Sequence, residues 1–178
     1  MAALSPDKPA VKPRPSATIP DYSRERCARF WDPNKQLIAS IRRYQRYRHK
    51  GGLVGSIAKA IAVFQHRFWS VVASADIPLN CQFGGGLRLP HTVGIVIHPS
   101  AKIGPNAAIF QQVTIVGDVE IGGQVEIGAG AKIVRPVKIG NHVRIGANAV
   151  VLNDIPDGAT VVGIPAKEVG ERYLPPSE

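Results

Sequence analysis

The chain has 178 residues, with 22 Lys+Arg against 13 Asp+Glu for a net charge of +9, and 44% of its residues are hydrophobic. That length suits one domain, and the apolar share excludes a wholly disordered chain. Two cysteines exclude a disulfide scaffold and fit a reducing compartment, and no apolar run approaches the roughly 18 residues of a membrane-spanning helix. The opening MAALSPDKPA lacks the apolar stretch of a secretory signal, so a cytoplasmic protein is expected.

Residues 1–75 carry 14 Lys+Arg and 4 Asp+Glu, while residues 76–178 carry 8 and 9. The basic excess therefore belongs to an N-terminal arm on a near-neutral body, which argues against a nucleic-acid partner. Residues 1–21 contain Pro6, Pro9, Pro13, Pro15 and Pro20 and read as a disordered tail. Residues 22–75 read as a basic helical segment. Asp32-Pro33 is an N-cap signal followed by Leu37, Ile38, Ile41, Tyr44 and Tyr47 at helical spacing, ending at Gly51-Gly52. A second helix is expected from about Ser56, with Ile57, Ile61, Phe64, Phe68 and Val72 on one face. The run RRYQRYRHK at 42–50 is open to three readings: a solvated face, contact with an acidic partner or anionic surface, or nucleic-acid binding. Its aromatics fall at helix-core spacing, which disfavours the last.

From residue 76 a six-residue period takes over. Ile97, Ile103, Ile109, Ile115, Ile121, Ile127, Ile133, Ile139, Ile145 and Val151 lie six apart, each followed four residues later by a small or apolar residue, from Ala101 to Ile155. Ile77, Phe83 and Leu89 keep the period upstream, with Cys81, Leu87 and Val93 in second place, and Ile95-Val96 shift the phase. This counts as thirteen hexads plus two residues between 77 and 156. A period of six fits short strands joined by tight turns, three to a coil: a parallel β-helix of a little over four coils. Gly104, Gly122, Gly128, Gly140 and Gly146 follow the branched residue, where a side chain has little room.

Such a fold leaves function open, so the candidates are residues that interrupt the repeat. His49 and His66 read as surface residues of the arm, and His98 and His142 as exposed turn residues. His91 stands at the phase break in LRLPHTVGIVI. Three repeat histidines invite a zinc reading, as in a zinc hydratase, but spacings of 7 and 44 give no close ligand pair, so no metal is expected. Cys81 reads as a small core residue, and Cys27 has no local partner.

The segments ADIPLN (75–80), GGLRLPHTVGIVI (85–97), QQVTIVGD (111–118), IGAGAKI (127–133), IGANAVVLNDIPDGA (145–159) and VVGIPAK (161–167) resemble the hexapeptide acyltransferases. Within them the likeness is to serine O-acetyltransferases and their short surface-polysaccharide-associated relatives. The resemblance covers about residues 37–169, sets an acyltransferase domain at 76–169 and leaves 170–178 as a C-terminal tail. It implies a left-handed β-helix behind a short helical segment, a homotrimer or a dimer of trimers, and acetyl-CoA as co-substrate bound between subunits. It assigns His91 as the base and Asp76 as its orienting carboxylate. Gly117, Ala129, Ala147, Gly163 and Lys167 are placed along the acetyl-CoA cleft, Gly117 near the thioester and Gly163 and Lys167 near the nucleotide.

The acceptor-binding part departs from that pattern. Pro90 replaces the acidic residue expected before the base, and no Arg/His-bearing loop interrupts Val119-Glu120-Ile121. The expected activity is O-acetylation of a small hydroxyl acceptor, L-serine first and a sugar of surface or capsular polysaccharide as the alternative. A non-catalytic assembly partner is the reading from another class.

Overall fold

The structure is a computed structural model, describing residues 15–29, 31–173 and 175. After a 3₁₀ turn at Tyr22–Glu25 come α1 (Pro33–Tyr47) and α2 (Gly52–Ala73). Asp32 caps α1 by accepting from the Lys35 amide at 3.2 Å, with proline at the first helical position as the sequence signals. The second helix begins at Gly52, earlier than expected, and ends at Ser74 in the left-handed conformation.

Twelve of the thirteen strands that follow have two residues. They are β1 (Gln82–Phe83), β2 (Val96–Ile97), β3 (Lys102–Ile103), β4 (Ala108–Ile109), β5 (Thr114–Ile115), β6 (Glu120–Ile121), β7 (Glu126–Ile127), β8 (Lys132–Ile133), β9 (Lys138–Ile139), β10 (Arg144–Ile145), β11 (Val150–Val151), β12 (Thr160–Val162) and β13 (Lys167–Glu168). They stack into three sheets, β1-β3-β6-β9, β4-β7-β10-β12-β13 and β2-β5-β8-β11, all parallel except the closing β12–β13 pair. This is the expected parallel β-helix, of about four turns.

The second residue of each strand from β1 to β11 points inward. Ile109, Ile115, Ile127 and Ile133 have no exposed surface, and full burial contributes about 1.5–3 kcal/mol for each such side chain. Outward positions carry charge ladders, with Lys102 to Glu120 at 2.9 Å and Glu126 to Arg144 at 3.8 Å. Both pairs are solvent-exposed and add little stability. The repeat glycines sit where a Cβ would meet the next coil's backbone: one on Gly104 would lie 2.5 Å from the Gly122 carbonyl carbon.

Residues 16–21, expected as part of a disordered tail, lie along one corner of the β-helix; residues 1–14 of that tail fall outside the described residues. Asn106 holds this strap, its side chain accepting from the Asp21 amide at 2.8 Å and donating to the Ser16 and Ile19 carbonyls at 2.7 Å each. Behind the strap, Arg42 on α1 pairs with the largely buried Glu25 at 2.7 Å and donates to the Phe83 carbonyl at 2.8 Å. Leu37, Ile38 and Ile41 of α1 are buried in the same core, to which α2 contributes Trp69 and Ala73. Of the apolar face expected on α2, Val72 packs against the core, whereas Ile57, Ile61, Phe64 and Phe68 are 47–75% exposed, and Val54 and Val71 beside them are exposed as well.

Candidate active site

The site follows from departures in coil length. Most of the β-helix repeats every eighteen residues, as where Glu126 lies under Arg144. The first coil is longer by two, since Gln82 pairs with Lys102 and Arg88 with Ala108. The hexad spacing alone puts the two extra residues at Ile95-Val96 and turns Val93 inward. The structure corrects both points. Val93 is 60% exposed, while Ile95 is fully buried and takes the second inward place. The insertion therefore lies in Pro90–Val93, four residues standing where the next coil has Phe110 and Gln111. A second correction concerns the last coil, which is shorter by two: Ile155 pairs with Ile139 and Arg144 with Thr160. Ile155 thus holds a strand position, not the second place expected for it.

His91 is exposed in the middle of the Pro90–Val93 bulge, and its neighbours are tied down. The Asn34 amide, on the first turn of α1, donates to the Pro90 carbonyl at 3.0 Å. The Thr92 hydroxyl, 3% exposed as a residue, lies 2.9 Å from Asn34 Oδ1 and 2.8 Å from the Ala73 carbonyl. The Gly94 amide donates to the Ser74 carbonyl at 2.8 Å. Sequence reasoning missed Asn34 and Thr92, which are 58 residues apart and belong to no repeat position.

The same corner continues upward. The Asn148 amide bonds the Ala129 carbonyl and the Gly130 amide the Gln111 carbonyl, so Gln111, Ala129 and Ala147 stack coil upon coil above the bulge. Gly163 follows Val162, the residue beyond the Ile145–Val161 pair, and so stands above Ala147. Lys167 pairs with Val162 at the top of this edge. Ser74, Gly94, Gln112, Gly130 and Asn148 all turn the corner with φ between 51° and 73°. Glycine accepts that conformation freely at Gly94, whereas the polar residues hold it at some cost.

Asp76 is exposed on the other side of this corner, two residues after Ser74, its backbone paired with Val96. The ion pairs among the described residues do not include one between Asp76 and His91. Gly117 turns a different corner, at the far end of β5, with open space where a Cβ would stand. A cavity of about 690 Å³ lies between the Tyr22–Arg26 turn and α1, away from His91. The candidate site is an open edge of the chain.

The other flagged residues find structural places. His66 is half-buried and not a surface residue, with Nε2 at 2.8 Å from the Ile77 carbonyl. Burial lowers its pKa, against the opposing effects of that hydrogen bond and of Asp76. His142 is buried as well, in a left-handed turn with its ring 5.3 Å from that of Tyr173. Cys81 is buried as expected, and burial pushes its thiol up to about 12, far from a nucleophile's range. Among the described residues no group of three or more His, Cys, Asp or Glu is placed to hold a metal ion.

Residues 118–153 match the family described as Bacterial transferase hexapeptide (six repeats). The chain is 31% identical over 156 residues to the serine acetyltransferase of Haemophilus influenzae, covering 83% of this chain and 58% of that protein. A serine acetyltransferase solved in complex with CoA superposes with a TM-score of 0.66 at 31% identity, covering 79% of this chain and 58% of that one. The Neisseria gonorrhoeae enzyme, solved in complex with serine, gives the same TM-score and coverage at 34% identity. These structures have a left-handed β-helix, and the chain shares that fold. The chain spans little more than half the length of these relatives. Within that span it carries the transferase hexapeptide repeat and resembles the serine acetyltransferases in both sequence and fold.

Proposed function

We propose that the chain catalyses acetyl transfer from acetyl-CoA to a hydroxyl, with His91 as the base. The observation that carries this reading is the single edge on which coil lengths gather His91, Ala129, Ala147, Gly163 and Lys167. At ~4.8 Å per coil that edge runs about 19 Å from the His91 coil to the Gly163 coil. An extended phosphopantetheine arm is of this order of length, and above Gln111 the small side chains of Ala129 and Ala147 leave its path clear. The edge is open in one chain, so a neighbouring copy in a homotrimer would supply the second wall. A cytoplasmic location, where acetyl-CoA is available, belongs to the same reading.

An alcohol is a weak nucleophile at neutral pH and needs a base within hydrogen-bond reach. Neutral His91 takes the hydroxyl proton as the oxygen attacks the thioester carbonyl. Collapse of the tetrahedral intermediate expels CoA thiolate, which recovers the proton from His91. The carboxylate of Asp76, across the corner, fixes the imidazole tautomer and offsets the transient positive charge. No covalent enzyme intermediate is required.

L-Serine is the first acceptor, by likeness to the relatives above. A sugar hydroxyl is the second reading, favoured by two features of this chain. Pro90 precedes the base, and Lys102 and Glu120 pair eighteen residues apart, leaving the Val116–Val119 turn without an insertion. A sugar needs no clamp for an amino or carboxylate group.

The test is release of CoA thiol with L-serine and with a sugar panel. His91→Ala is expected to lower turnover by roughly 10²–10⁴ while acetyl-CoA still binds. Near-normal turnover in that variant overturns the assignment. Activity with sugars alone moves the acceptor to the second reading, and failure to bind acetyl-CoA favours a non-catalytic assembly role.

A further inference from the structure

We propose that Asn34 and Thr92 are positioning residues that hold His91 in its working orientation, an inference that rests on the function proposed above. Four residues occupy the space of two in the Pro90–Val93 bulge, so the repeat's own ladder cannot place His91. Leu89 is buried before the bulge and Ile95 after it, and between these anchors the coil must find other partners. The helices provide them.

Asn34 works in both directions at once. Its Nδ2 donates to the Pro90 carbonyl, and its Oδ1 lies within bonding distance of the Thr92 hydroxyl. These two contacts fix each other's sense, since the amide has one donating and one accepting end. The Thr92 proton is shared with the Ala73 carbonyl at the end of α2, and the Thr92 carbonyl accepts from the Ile95 amide at 3.1 Å. The residue before His91 and the residue after it are therefore pinned by one side chain from α1, while the imidazole between them stays exposed. Asn34 is itself set by the Asp32 cap and Pro33, which fix the first turn of α1. Neither residue need touch a substrate. A displacement of the base by about 1 Å can cost ~10²-fold in rate, so a bulge of this kind needs such support.

The experiment compares the full-length protein with Asn34→Leu, Thr92→Val and Thr92→Ser. Two readouts are taken: steady-state acetyl transfer, and the NMR order parameter of the His91 amide. Asn34→Leu and Thr92→Val are expected to lower kcat about 10–100-fold with KM for acetyl-CoA changed less than about threefold. The His91 amide should fall from an order parameter near ~0.85 to below ~0.6. Thr92→Ser, which keeps the hydroxyl, should restore both readouts to near wild type. A merely structural role would lower the melting temperature and leave kcat of the folded protein unchanged, and that result overturns the inference. So does an unchanged order parameter in Asn34→Leu, whatever its activity. Absence of His91-dependent transfer in the wild type overturns the proposed function, and with it the catalytic meaning of an ordered bulge.

Discussion

In the β-helix Ile127 and Ile133 have no exposed surface, whereas on α2 Ile57 and Ile61 are about half exposed, and Phe64 and Val71 more so. Both sets recur in the sequence with equal regularity, one every six residues and the other at intervals of three and four. Regular apolar spacing therefore identifies a face, but it does not say what covers it. In the β-helix each coil supplies the cover for the next. The α2 face can be covered only by something outside its own repeat, and within the chain α1 and the β-helix take a different side of that helix.

The same substitution in the two regions sharpens this contrast most. Ile127→Glu places an unpaired carboxylate in the β-helix interior and should cost more than about 4 kcal/mol, enough to abolish a cooperative thermal melt. Ile61→Glu should change stability by less than about 1 kcal/mol, followed by circular dichroism. Comparable losses in both would erase the distinction.

A smaller effect is expected where the arm is tied to the body. Asn106→Ala removes three side-chain contacts to the strap and leaves the Ser16 and Ile19 carbonyls and the Asp21 amide unpaired. The expected loss is about 1–3 kcal/mol, with tryptic cleavage after Arg24 and Arg26 accelerated and the β-helix still resistant. Unchanged cleavage would mean that the strap is held by other contacts.

The smallest effect concerns His66, at the junction of α2 and the first coil. Burial lowers its pKa, so the folded state disfavours the charged ring. Its contribution is present above the ordinary histidine value of about 6.5 and is lost as pH falls through the window below it. The wild type should lose slightly more thermal stability than His66→Gln between pH 7.5 and 5.5. An identical drop in both would remove His66 from the pH response.

Much of the fold is legible in the hexads because a strand's inward residue must be apolar in every coil. Legibility fails where a coil changes length. Val93, Ile95 and Val96 are all β-branched and apolar, and composition cannot decide which of them turns inward. Ile155 is ambiguous for the same reason, since only its pairing with Ile139 reveals the shortened coil. His91 stands out in the sequence as an interruption of the repeat, but its alignment with Ala129 and Ala147 depends on counting twenty residues across one coil and eighteen across the next two. The support from Asn34 carries no such mark, because a lone asparagine in a first helical turn looks like any other. The apolar face of α2 is legible too, but amphipathicity marks a side to be covered without naming what covers it.

The stacking register has one more consequence. Between Ile109 and Ile145 the coils are equal in length, with Ile109, Ile127 and Ile145 aligned one above another. Inserting or deleting eighteen residues in that interval would move the upper end of the edge by one rung, ~4.8 Å, without rotating it relative to His91. The distance between the base and the top of the edge is thus counted in whole coils. The molecule is a ruler with discrete graduations, and the reach of any ligand laid along it is written in the number of repeats.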